Sequence, residues 1–215
     1  QLLTSGSTGV PKCVRHANAS IIARTLASAA ANGFDEHDVS LNWIPLDHVG
    51  AVIMHNVSNV VLRNEHVNVE TDAFLADPLA WMDWVHRFRV SVTWAPNFAF
   101  SLFNDNAERI GDRDWDLSCL RHVCNGGEAV VTRTAQRFLE LLRPFGLPAD
   151  ALLPTFGMSE IASGTIYSML SGDDPAQGTI SVEKASLGGR LRVGEPKDSP
   201  DVITFTEVGR PLLAQ

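Results

Sequence analysis

The chain opens on Leu2-Leu3-Thr4-Ser5-Gly6-Ser7-Thr8-Gly9, and this stretch decides the predicted fold. Residues 1–4 are typical of the end of a buried strand, and the Ser/Gly/Thr run is typical of a loop. An alanine-rich stretch follows, with apolar side chains at helical spacing at Ile21, Ile22, Leu26 and Ala29. The sequence therefore predicts a strand, a loop and a helix in that order.

The same alternation continues to about residue 170. Strand patterns occur at 39–44, 66–70, 90–95 and 120–124, and an apolar run follows at 152–154. One helix face is predicted from Val49, Val52, Ile53, Val57, Val60 and Val61, and a later one from Ala135, Phe138, Leu139, Leu142 and Phe145. Asp77-Pro78 predicts the start of a helix that buries Leu79, Met82, Val85 and Phe88. Strands that alternate with helices predict an α/β fold with a largely parallel sheet flanked by helices.

The composition changes after about Ser171. Gly, Asp and Pro become frequent, short alternating runs such as Ile180-Ser181-Val182 appear, and no long helix pattern remains. We therefore expect an α/β core over residues 1–171 and a β-rich, loop-rich segment over residues 172–215.

Bulk composition excludes several classes of protein. Apolar residues make up 45% and charged residues 20% of the chain, which is ordinary for a globular protein. The net charge of −8 and the lack of a basic stripe exclude a nucleic-acid partner. The apolar runs are shorter than the ~20 residues of a membrane span. Three cysteines without Cys-x-x-Cys spacing predict reduced thiols and a cytoplasmic location, and the first residue, Gln1, suggests an excised piece.

The Ser/Gly/Thr loop has the chemistry of a phosphate grip. Gly6 and Gly9 permit tight backbone conformations in which successive N–H groups point at one anion. Thr4, Ser5, Ser7 and Thr8 add hydroxyl donors, and Lys12 adds a positive charge. The residues fit neither the Walker loop nor the Gly-x-Ser-x-Gly elbow. Taken by itself, such a stretch is also compatible with a simple flexible loop.

Thr-Ser-Gly-Ser-Thr-Gly-x-Pro-Lys, from Thr4 to Lys12, resembles the signature loop of the ANL superfamily of adenylate-forming enzymes. This superfamily contains the acyl-CoA synthetases, the nonribosomal-peptide adenylation domains and the luciferases. The family usually continues with Gly where this chain has Cys13. The resemblance implies that the loop holds the triphosphate of ATP.

Two further segments resemble motifs of this superfamily, in the family's order. Asn125-Gly126-Gly127-Glu128 resembles the adenine-contacting segment, although a Gly-Gly pair after a strand is also typical of a plain turn. Thr155-Phe156-Gly157-Met158-Ser159-Glu160 resembles the aromatic-Gly-x-Ser/Thr-Glu motif. The resemblance implies that Phe156 packs on adenine, Ser159 meets the α-phosphate and Glu160 holds Mg²⁺, an ion that prefers oxygen ligands.

Two segments are candidates for the acid-binding pocket. Trp43-Ile44-Pro45-Leu46-Asp47-His48-Val49-Gly50 resembles the segment that places a His or aromatic residue at the mouth of the pocket, so His48 is expected beside the carboxylate. The alternative is a helix-start histidine that is satisfied by backbone groups. Trp94-Ala95-Pro96-Asn97-Phe98-Ala99-Phe100 is expected to supply a pocket wall, and core packing is the alternative.

The resemblance implies a function. A carboxylic acid would attack the α-phosphate of Mg·ATP, giving an acyl-adenylate for transfer to the phosphopantetheine thiol of an acyl or peptidyl carrier protein. No Phe-Asp-x-Ser-type segment follows Trp43, so a fatty, hydroxy or other non-amino acid is expected. The two pocket segments, at 45–50 and 94–100, are most similar in sequence to those of fatty-acyl-AMP ligases and of the acyl-loading domains of polyketide and peptide synthases.

Two other hypotheses remain open from the sequence. The family's later Thr-Gly-Asp motif, hinge and C-terminal lysine do not occur, so the fragment alone is expected to turn over poorly. It could instead serve as a nucleotide- or acyl-binding module with a scaffolding role in a synthase assembly. An unrelated phosphate-binding domain would require the two later motifs to arise in order by chance.

Overall fold

The computed structural model describes residues 1–4, 9–10, 12–174, 176–195 and 199–211. Its strands are β1 (Leu2–Leu3), β2 (Cys13–Val14), β3 (Val39–Asn42), β4 (Glu65–Asn68), β5 (Val92–Ala95), β6 (His122–Gly126), β7 (Leu152–Met158), β8 (Ser163–Tyr167), β9 (Thr179–Glu183), β10 (Val202–Thr206) and β11 (Arg210–Pro211). Its α-helices are α1 (Asn18–Asn32), α2 (Ser58–Leu62), α3 (Thr71–Ala76), α4 (Ala80–Phe88), α5 (Asn97–Asn104) and α6 (Thr132–Leu142). A π-helix, Gly50–Val57, leads into α2, and 3₁₀ turns occur at Ala107–Arg109, Arg143–Phe145, Ser159–Ile161 and Lys184–Ser186.

A seven-stranded sheet organises the molecule in the order β11-β8-β7-β6-β5-β3-β4. The five strands β7, β6, β5, β3 and β4 run parallel. At one edge β8 pairs antiparallel with β7 and β11 pairs antiparallel with β8, so β8 runs opposite to the five strands and β11 runs in their direction. The pairs β1–β2 and β9–β10 form separate antiparallel hairpins. The predicted α/β class with a mostly parallel sheet is confirmed.

The two faces of the sheet carry different chemistry. On one face, which we call the aromatic face, Trp81 of α4 packs edge-on against Phe100 of α5 and donates its indole N–H to Thr93 of β5. On the other face, which we call the α1 face, Trp94 and Cys124 point toward α1 and the π-helix. Large aromatic side chains pack together on the aromatic face, whereas the α1 face holds polar groups such as Ser40 and His55.

The N-terminal segment differs from the prediction. The backbone returns after the loop as β2 and reaches α1 only at Asn18, so the order is a hairpin followed by a helix. Leu3 is 66% exposed, because β1 pairs with β2 and stands outside the main sheet. The predicted stripe on α1 is wrong at Ile22 and Leu26, which are exposed, and correct at Ala29, which is buried beside Thr25 and Ser28.

The helix predicted after β3 also has a different register. Gly50–Val57 is a π-helix, which closes its hydrogen bonds over one more residue than an α-helix and so rotates the side chains that follow. His55, Ser58 and Asn59 are therefore buried, whereas Val60 is 77% exposed. The apolar face predicted from 3.6-residue spacing is correct at Ile53, which is buried, and wrong at Val60, because the winding itself changes.

The remaining elements follow the prediction closely. The strands predicted at 39–44, 66–70, 90–95 and 120–124 are β3 to β6, shifted by up to two residues at their ends. Asp77 precedes α4 and accepts a hydrogen bond from the Leu79 N–H, but Phe88 at the end of α4 is 39% exposed and α3 was not predicted. The division at residue 171 stays a prediction. None of the helices in the described ranges is long and apolar enough to cross a membrane.

Candidate active site

The carboxyl ends of three neighbouring strands bring the sequence motifs together. In the parallel register Ala95 of β5 lies opposite Asn125 of β6, and Gly126 lies opposite Thr155 of β7. Open α/β sheets bind ligands at this edge, because the loops leaving the strands diverge there. The motif at Asn125–Glu128 therefore lies between the motif at Thr155–Glu160 and the predicted pocket wall that begins at Trp94.

A small cleft opens at this edge on the α1 face, and we call it the edge cleft. None of the described residues that line it is Asp or Glu. They are His48, Val49, Gly50, Met54, Trp94, Gly126, Gly127, Thr155, Gly157, Ser163 and Gly164. The cleft therefore combines an aromatic wall, exposed backbone and a few neutral polar groups.

The indole of Trp94 forms the floor of the edge cleft. It is only 4% exposed and stacks on the His48 ring with 5.3 Å between centroids. An added Cβ on Gly50 would lie 2.5 Å from the indole, and one on Gly127 would lie 3.2 Å from it. Gly127 also has φ +88°, a conformation that favours glycine. Glycine at both positions allows the backbone to pack directly on the indole.

The orientation of His48 is set by the start of the π-helix. The Gly50 N–H donates to Nδ1 of His48 at 3.1 Å, so the neutral ring carries its proton on Nε2. Partial burial against its neighbours lowers the pKa of His48, and the nearby Asp47 charge only partly opposes this effect. His48 is therefore a neutral hydrogen-bond donor at the mouth of the edge cleft near pH 7, and its predicted place beside the carboxylate stays a prediction.

The backbone between β7 and β8 is unusually crowded. An added Cβ on Gly157 would lie 2.3 Å from the Ser163 carbonyl oxygen, and one on Gly126 would lie 2.3 Å from the Thr155 carbonyl oxygen. Ala162 and Ser163 have φ values of 56° and 82°, which non-glycine residues rarely adopt. The register of β7 and β8 also shifts between Phe156 and Gly157. Strained backbone of this kind is frequent at functional sites.

The two ends of the predicted phosphate loop are joined. The Thr4 N–H donates to the Lys12 carbonyl, and the Lys12 N–H donates to the Thr4 hydroxyl oxygen, both at 2.9 Å. Gly9 has φ +152° and open space around its α-carbon, and Lys12 is exposed. Ser5, Gly6, Ser7 and Thr8 lie outside the described residues. These two hydrogen bonds therefore hold Thr4, at the end of β1, beside Lys12, at the start of β2.

Ser159 connects this loop to the third motif. Its hydroxyl donates to the Leu3 carbonyl at 3.1 Å, directly before Thr4. The carbonyl of Ser159 in turn accepts a hydrogen bond from Nε2 of His16 at 2.7 Å. Sequence reasoning missed His16, because the contact spans 143 residues and no motif contains it. The loop and the Ser159-Glu160 segment are thus neighbours in space.

Phe156 and Asn125 emerge on the aromatic face, opposite to the edge cleft. Asn125 pairs with Pro154, and strand alternation puts Phe156 on the same face as both. The Phe156 ring is 41% exposed, whereas Asn125 is fully buried. Within the described part of the chain, neither polar side-chain atom of Asn125 has a hydrogen-bond partner. A buried amide without partners is uncommon in folded proteins.

The acidic residues of the two motifs have different surroundings. Oε1 of Glu128 accepts the Phe98 N–H at 2.6 Å and so caps the first turn of α5. Glu160 is exposed on the 3₁₀ turn beside Ser159. The ranges that the structure describes contain no group of three or more His, Cys, Asp or Glu that could hold a metal ion. A single carboxylate fits Mg²⁺ that arrives with phosphate and water as its other ligands.

Thr155 and Met158 of the third motif differ in their surroundings. The Thr155 hydroxyl donates to the Leu153 carbonyl at 2.9 Å and so is satisfied within β7. Met158, at the end of β7, is 42% exposed. Sequence reasoning missed Met54, Ser163 and Gly164 as lining residues of the edge cleft, since only the winding of the π-helix and the turn into β8 bring them there.

Comparison with known proteins supports a single family. The profile of the AMP-binding enzyme family matches residues 2–200. Aspulvinone E synthetase melA from Aspergillus terreus (strain NIH 2624 / FGSC A1156) is 36% identical over 77% of this chain and 18% of its own length. The nonribosomal peptide synthetase btyA from the same organism is 33% identical over 99% of this chain and 24% of its own length. The chain thus spans less than a quarter of the length of these relatives.

Solved structures resemble the chain over nearly its whole length. The adenylation domain of a keto acid-selecting NRPS module, bound to keto acyl adenylate, is 44% identical with a TM-score of 0.92, over 98% of this chain and 39% of that one. A fatty acyl-adenylate ligase from L. pneumophila is 21% identical with a TM-score of 0.85, over 98% of this chain and 36% of that one. The second likeness shows a shared fold.

Proposed function

The chain belongs to the family of AMP-binding enzymes, and from this premise we propose that it activates a carboxylic acid with ATP. A carboxylate oxygen of the acid attacks the α-phosphorus of ATP, and the bond from that phosphorus to the bridging oxygen breaks. Pyrophosphate leaves with the bonding electrons, and an acyl-adenylate remains. No proton transfer is needed in this step, so binding, alignment and charge stabilisation are the main tasks of the protein.

The nucleotide is proposed to lie across the edge of the sheet, between the loop and the aromatic face. Lys12 supplies a positive charge at the closed end of the loop, and Glu160 is the carboxylate for Mg²⁺. Phe156 offers an exposed ring for adenine, and the buried amide of Asn125 offers unpaired polar atoms on the same face. Bound Mg²⁺ would neutralise charge on the phosphate oxygens. The hydrogen bond between Ser159 and Leu3 supports this placement, because it brings the phosphate loop beside Glu160.

The edge cleft is proposed to hold the acid, and the observation that carries this proposal is its lining. A bound α-amino acid would bury an ammonium group, which needs a carboxylate partner in a site of low polarity. None of the described lining residues provides one. The proposed substrate is therefore an acid without an α-ammonium group. Among such acids we favour an α-keto acid, since the 44%-identical adenylation domain is described as keto acid-selecting.

The shape of the edge cleft favours a short or compact acid. Trp94 closes its floor and is held by close contacts with Gly50 and Gly127. A long, flexible acyl chain would have to displace this indole. His48 is proposed to orient the carboxylate through its Nε2 proton, and because its pKa is lowered it does so without a full charge that would weaken the nucleophile.

Transfer of the acyl group to a carrier protein is proposed as the second step. The thiolate of the carrier's phosphopantetheine attacks the acyl carbon, the bond from that carbon to the phosphate oxygen breaks, and AMP leaves as a thioester forms. Support comes from the relatives, since btyA is described as a nonribosomal peptide synthetase.

ATP–pyrophosphate exchange in the full-length protein tests this proposal. The assay compares an α-keto acid, the α-hydroxy acid and the α-amino acid with the same side chain, and a long-chain fatty acid. We expect exchange with the keto acid, weaker exchange with the hydroxy acid, and the least with the other two. Exchange that is fastest with the amino acid would overturn the substrate assignment. ATP binding without exchange on any acid would favour a nucleotide-binding module instead.

A further inference from the structure

Arg24 of α1 stands directly behind one wall of the edge cleft. Its Nε and Nη2 atoms donate to the same acceptor, the Gly164 carbonyl oxygen, at 2.9 and 2.5 Å. Gly164 lies in β8 and lines the edge cleft. The contact joins residues 140 positions apart, so it fixes α1 against the wall of the cleft.

The charge of Arg24 has no acidic partner within the described ranges. Ion pairs with a carboxylate within 4 Å occur for other arginines such as Arg113 and Arg121, but not for Arg24 in this part of the chain. Its other contacts are also neutral, to the Tyr167 hydroxyl at 3.2 Å and the Ser58 hydroxyl at 3.5 Å. A half-buried guanidinium is thus used mainly to hold one backbone carbonyl, and a charged donor makes a stronger hydrogen bond than a neutral one.

The carbonyl that Arg24 holds belongs to the strained segment of the site. Gly164 follows Ala162 and Ser163, which both have positive φ. Gly164 itself is tightly packed, since an added Cβ would lie 2.9 Å from the Thr155 side chain. Such backbone persists only when surrounding contacts hold it. Arg24 supplies two of these contacts to a single atom.

A second donor and a small cavity complete this arrangement. The Tyr167 hydroxyl donates to the same Gly164 carbonyl at 3.3 Å, and burial raises the pKa of Tyr167, so the phenol keeps its proton. Behind these groups is a cavity of about 30 Å³ between α1, the π-helix and the sheet, which we call the α1 cavity. This volume holds about two water molecules. Without the guanidinium, the Gly164 peptide would therefore have space to move away from the edge cleft.

We propose that Arg24 is a positioning residue for the acid site, because its guanidinium fixes the Gly164 peptide and with it the wall of the edge cleft between Thr155 and Met54. This inference depends on the proposed function in one respect, namely that the ligand of the edge cleft is the acid. The acid contacts the wall that Arg24 holds, and Arg24 itself touches neither acid nor nucleotide.

The test uses three variants and one control in the full-length protein. Arg24→Met removes the charge and both donors at similar length, Arg24→Lys keeps the charge with a single point donor, and Tyr167→Phe removes only the second donor. Arg87→Met is the matched control, because Arg87 is exposed on α4 on the aromatic face. Hydrogen–deuterium exchange is followed in the peptide covering residues 162–167, beside the melting temperature and the KM values for acid and ATP.

Arg24→Met is expected to speed exchange in residues 162–167 selectively and to raise the KM for the acid about tenfold, the size expected from losing a charge-assisted hydrogen bond. The KM for ATP should stay within about twofold, since Lys12 and Glu160 lie elsewhere on the edge. Arg24→Lys should recover part of the loss, and Tyr167→Phe should give a smaller effect. The control should match the wild type.

Two results separate the failure of this inference from the failure of the proposed function. Unchanged local exchange in both Arg24 variants, or equal losses in both KM values that follow a lowered melting temperature, would overturn the positioning role. The other result combines faster local exchange in Arg24→Met with a wild-type protein that activates no acid. It would keep Arg24 as the residue that holds the wall and would remove the acid as the ligand of the edge cleft.

Discussion

The Gly50→Ala substitution gives the sharpest test of the floor of the edge cleft. The new Cβ would lie 2.5 and 2.8 Å from two atoms of the Trp94 benzo ring, Cζ3 and Cη2. Carbon atoms in contact prefer about 3.5–4.0 Å, so the ring has to move by roughly 1 Å. Gly127 also lies close to the ring, since an added Cβ there would be 3.2 Å from the indole. The ring must therefore tilt into the cleft or rotate toward the α1 cavity.

The expected size of the effect follows from this displacement. Overpacking a closed site costs about 1–3 kcal/mol, and each ~1.4 kcal/mol lost from transition-state binding is a factor of ten in rate. We expect kcat/KM for the acid to fall about tenfold to hundredfold. The KM for ATP should change less than about twofold, because Trp94 lies on the α1 face and Phe156 on the other. Alanine has a higher helix propensity than glycine, so a weaker helix cannot explain a loss.

A double-mutant cycle with Trp94→Phe identifies the cause. Phenylalanine has a smaller ring than the indole, so the double variant should be less impaired than the two single effects predict. Gly111→Ala serves as the control, because Gly111 is exposed and a Cβ there meets nothing within 4 Å. The measurements are ATP–pyrophosphate exchange and thermal melting. Wild-type acid kinetics in Gly50→Ala, or strictly additive effects in the cycle, would refute the role of Trp94 as the floor.

Three further predictions concern other parts of the molecule. Lys12→Ala and Glu160→Ala should each raise the KM for ATP about tenfold without lowering the melting temperature, and wild-type exchange in both would remove the nucleotide assignment. Asp38→Asn should lower the free energy of unfolding at pH 7 by about 1–3 kcal/mol. Burial would raise the pKa of Asp38, but hydrogen bonds from Ser91, from the Asp35 N–H and from Arg121 lower it below its ordinary value. The difference should therefore shrink as the pH falls below about 4, and equal urea midpoints at pH 7 would contradict it. Trp94→Ala should shift acid preference toward longer side chains, because Trp94 and Met54 separate the edge cleft from the α1 cavity; an unchanged preference would contradict that separation.

Much of the sheet could be predicted from local patterns. β5 is a short run of β-branched and apolar residues, and β3 alternates apolar Val39 and Leu41 with polar residues. β3 pairs with β4 and β5 pairs with β6, in each case the next strand along the chain, whereas the pairing of β3 with β5 passes over β4. β7 continues through Phe156-Gly157-Met158, where the glycine weakens the strand pattern, so its full length is visible only in the pairing with β8. Local patterns predict strands that are buried along their whole length. They fail where a strand continues past its apolar residues into the carboxyl edge of the sheet, as β7 does.

Part of the candidate site could also be predicted from the sequence, and part could not. The order of the motifs predicts that Asn125 and Thr155 come together, because both follow parallel strands, and the structure places their strands side by side. The contacts of Ser159 with Leu3, of Arg24 with Gly164 and of Glu128 with Phe98 could not be predicted. Each contact joins residues at least 30 positions apart. The motifs that contain Ser159 and Glu128 do not say which backbone group these side chains bind, and no motif contains Arg24.

The π-helix explains why the prediction fails most clearly beside the edge cleft. It begins at Gly50, which lies against Trp94, and its wider winding turns His55 inward, where Nδ1 pairs with the Ser40 hydroxyl at 2.7 Å. Burial, helped by the neighbouring His66, lowers the pKa of His55 to about 3, so the ring stays neutral in the α1 cavity. A regular helix with its valines inward would bury more apolar surface and would be simpler to stabilise. π-helical turns are frequent at functional sites. The shape of the edge cleft best explains why this turn buries polar side chains and sets a glycine against the indole. The Gly50→Ala and Arg24→Met variants probe that shape from its two sides.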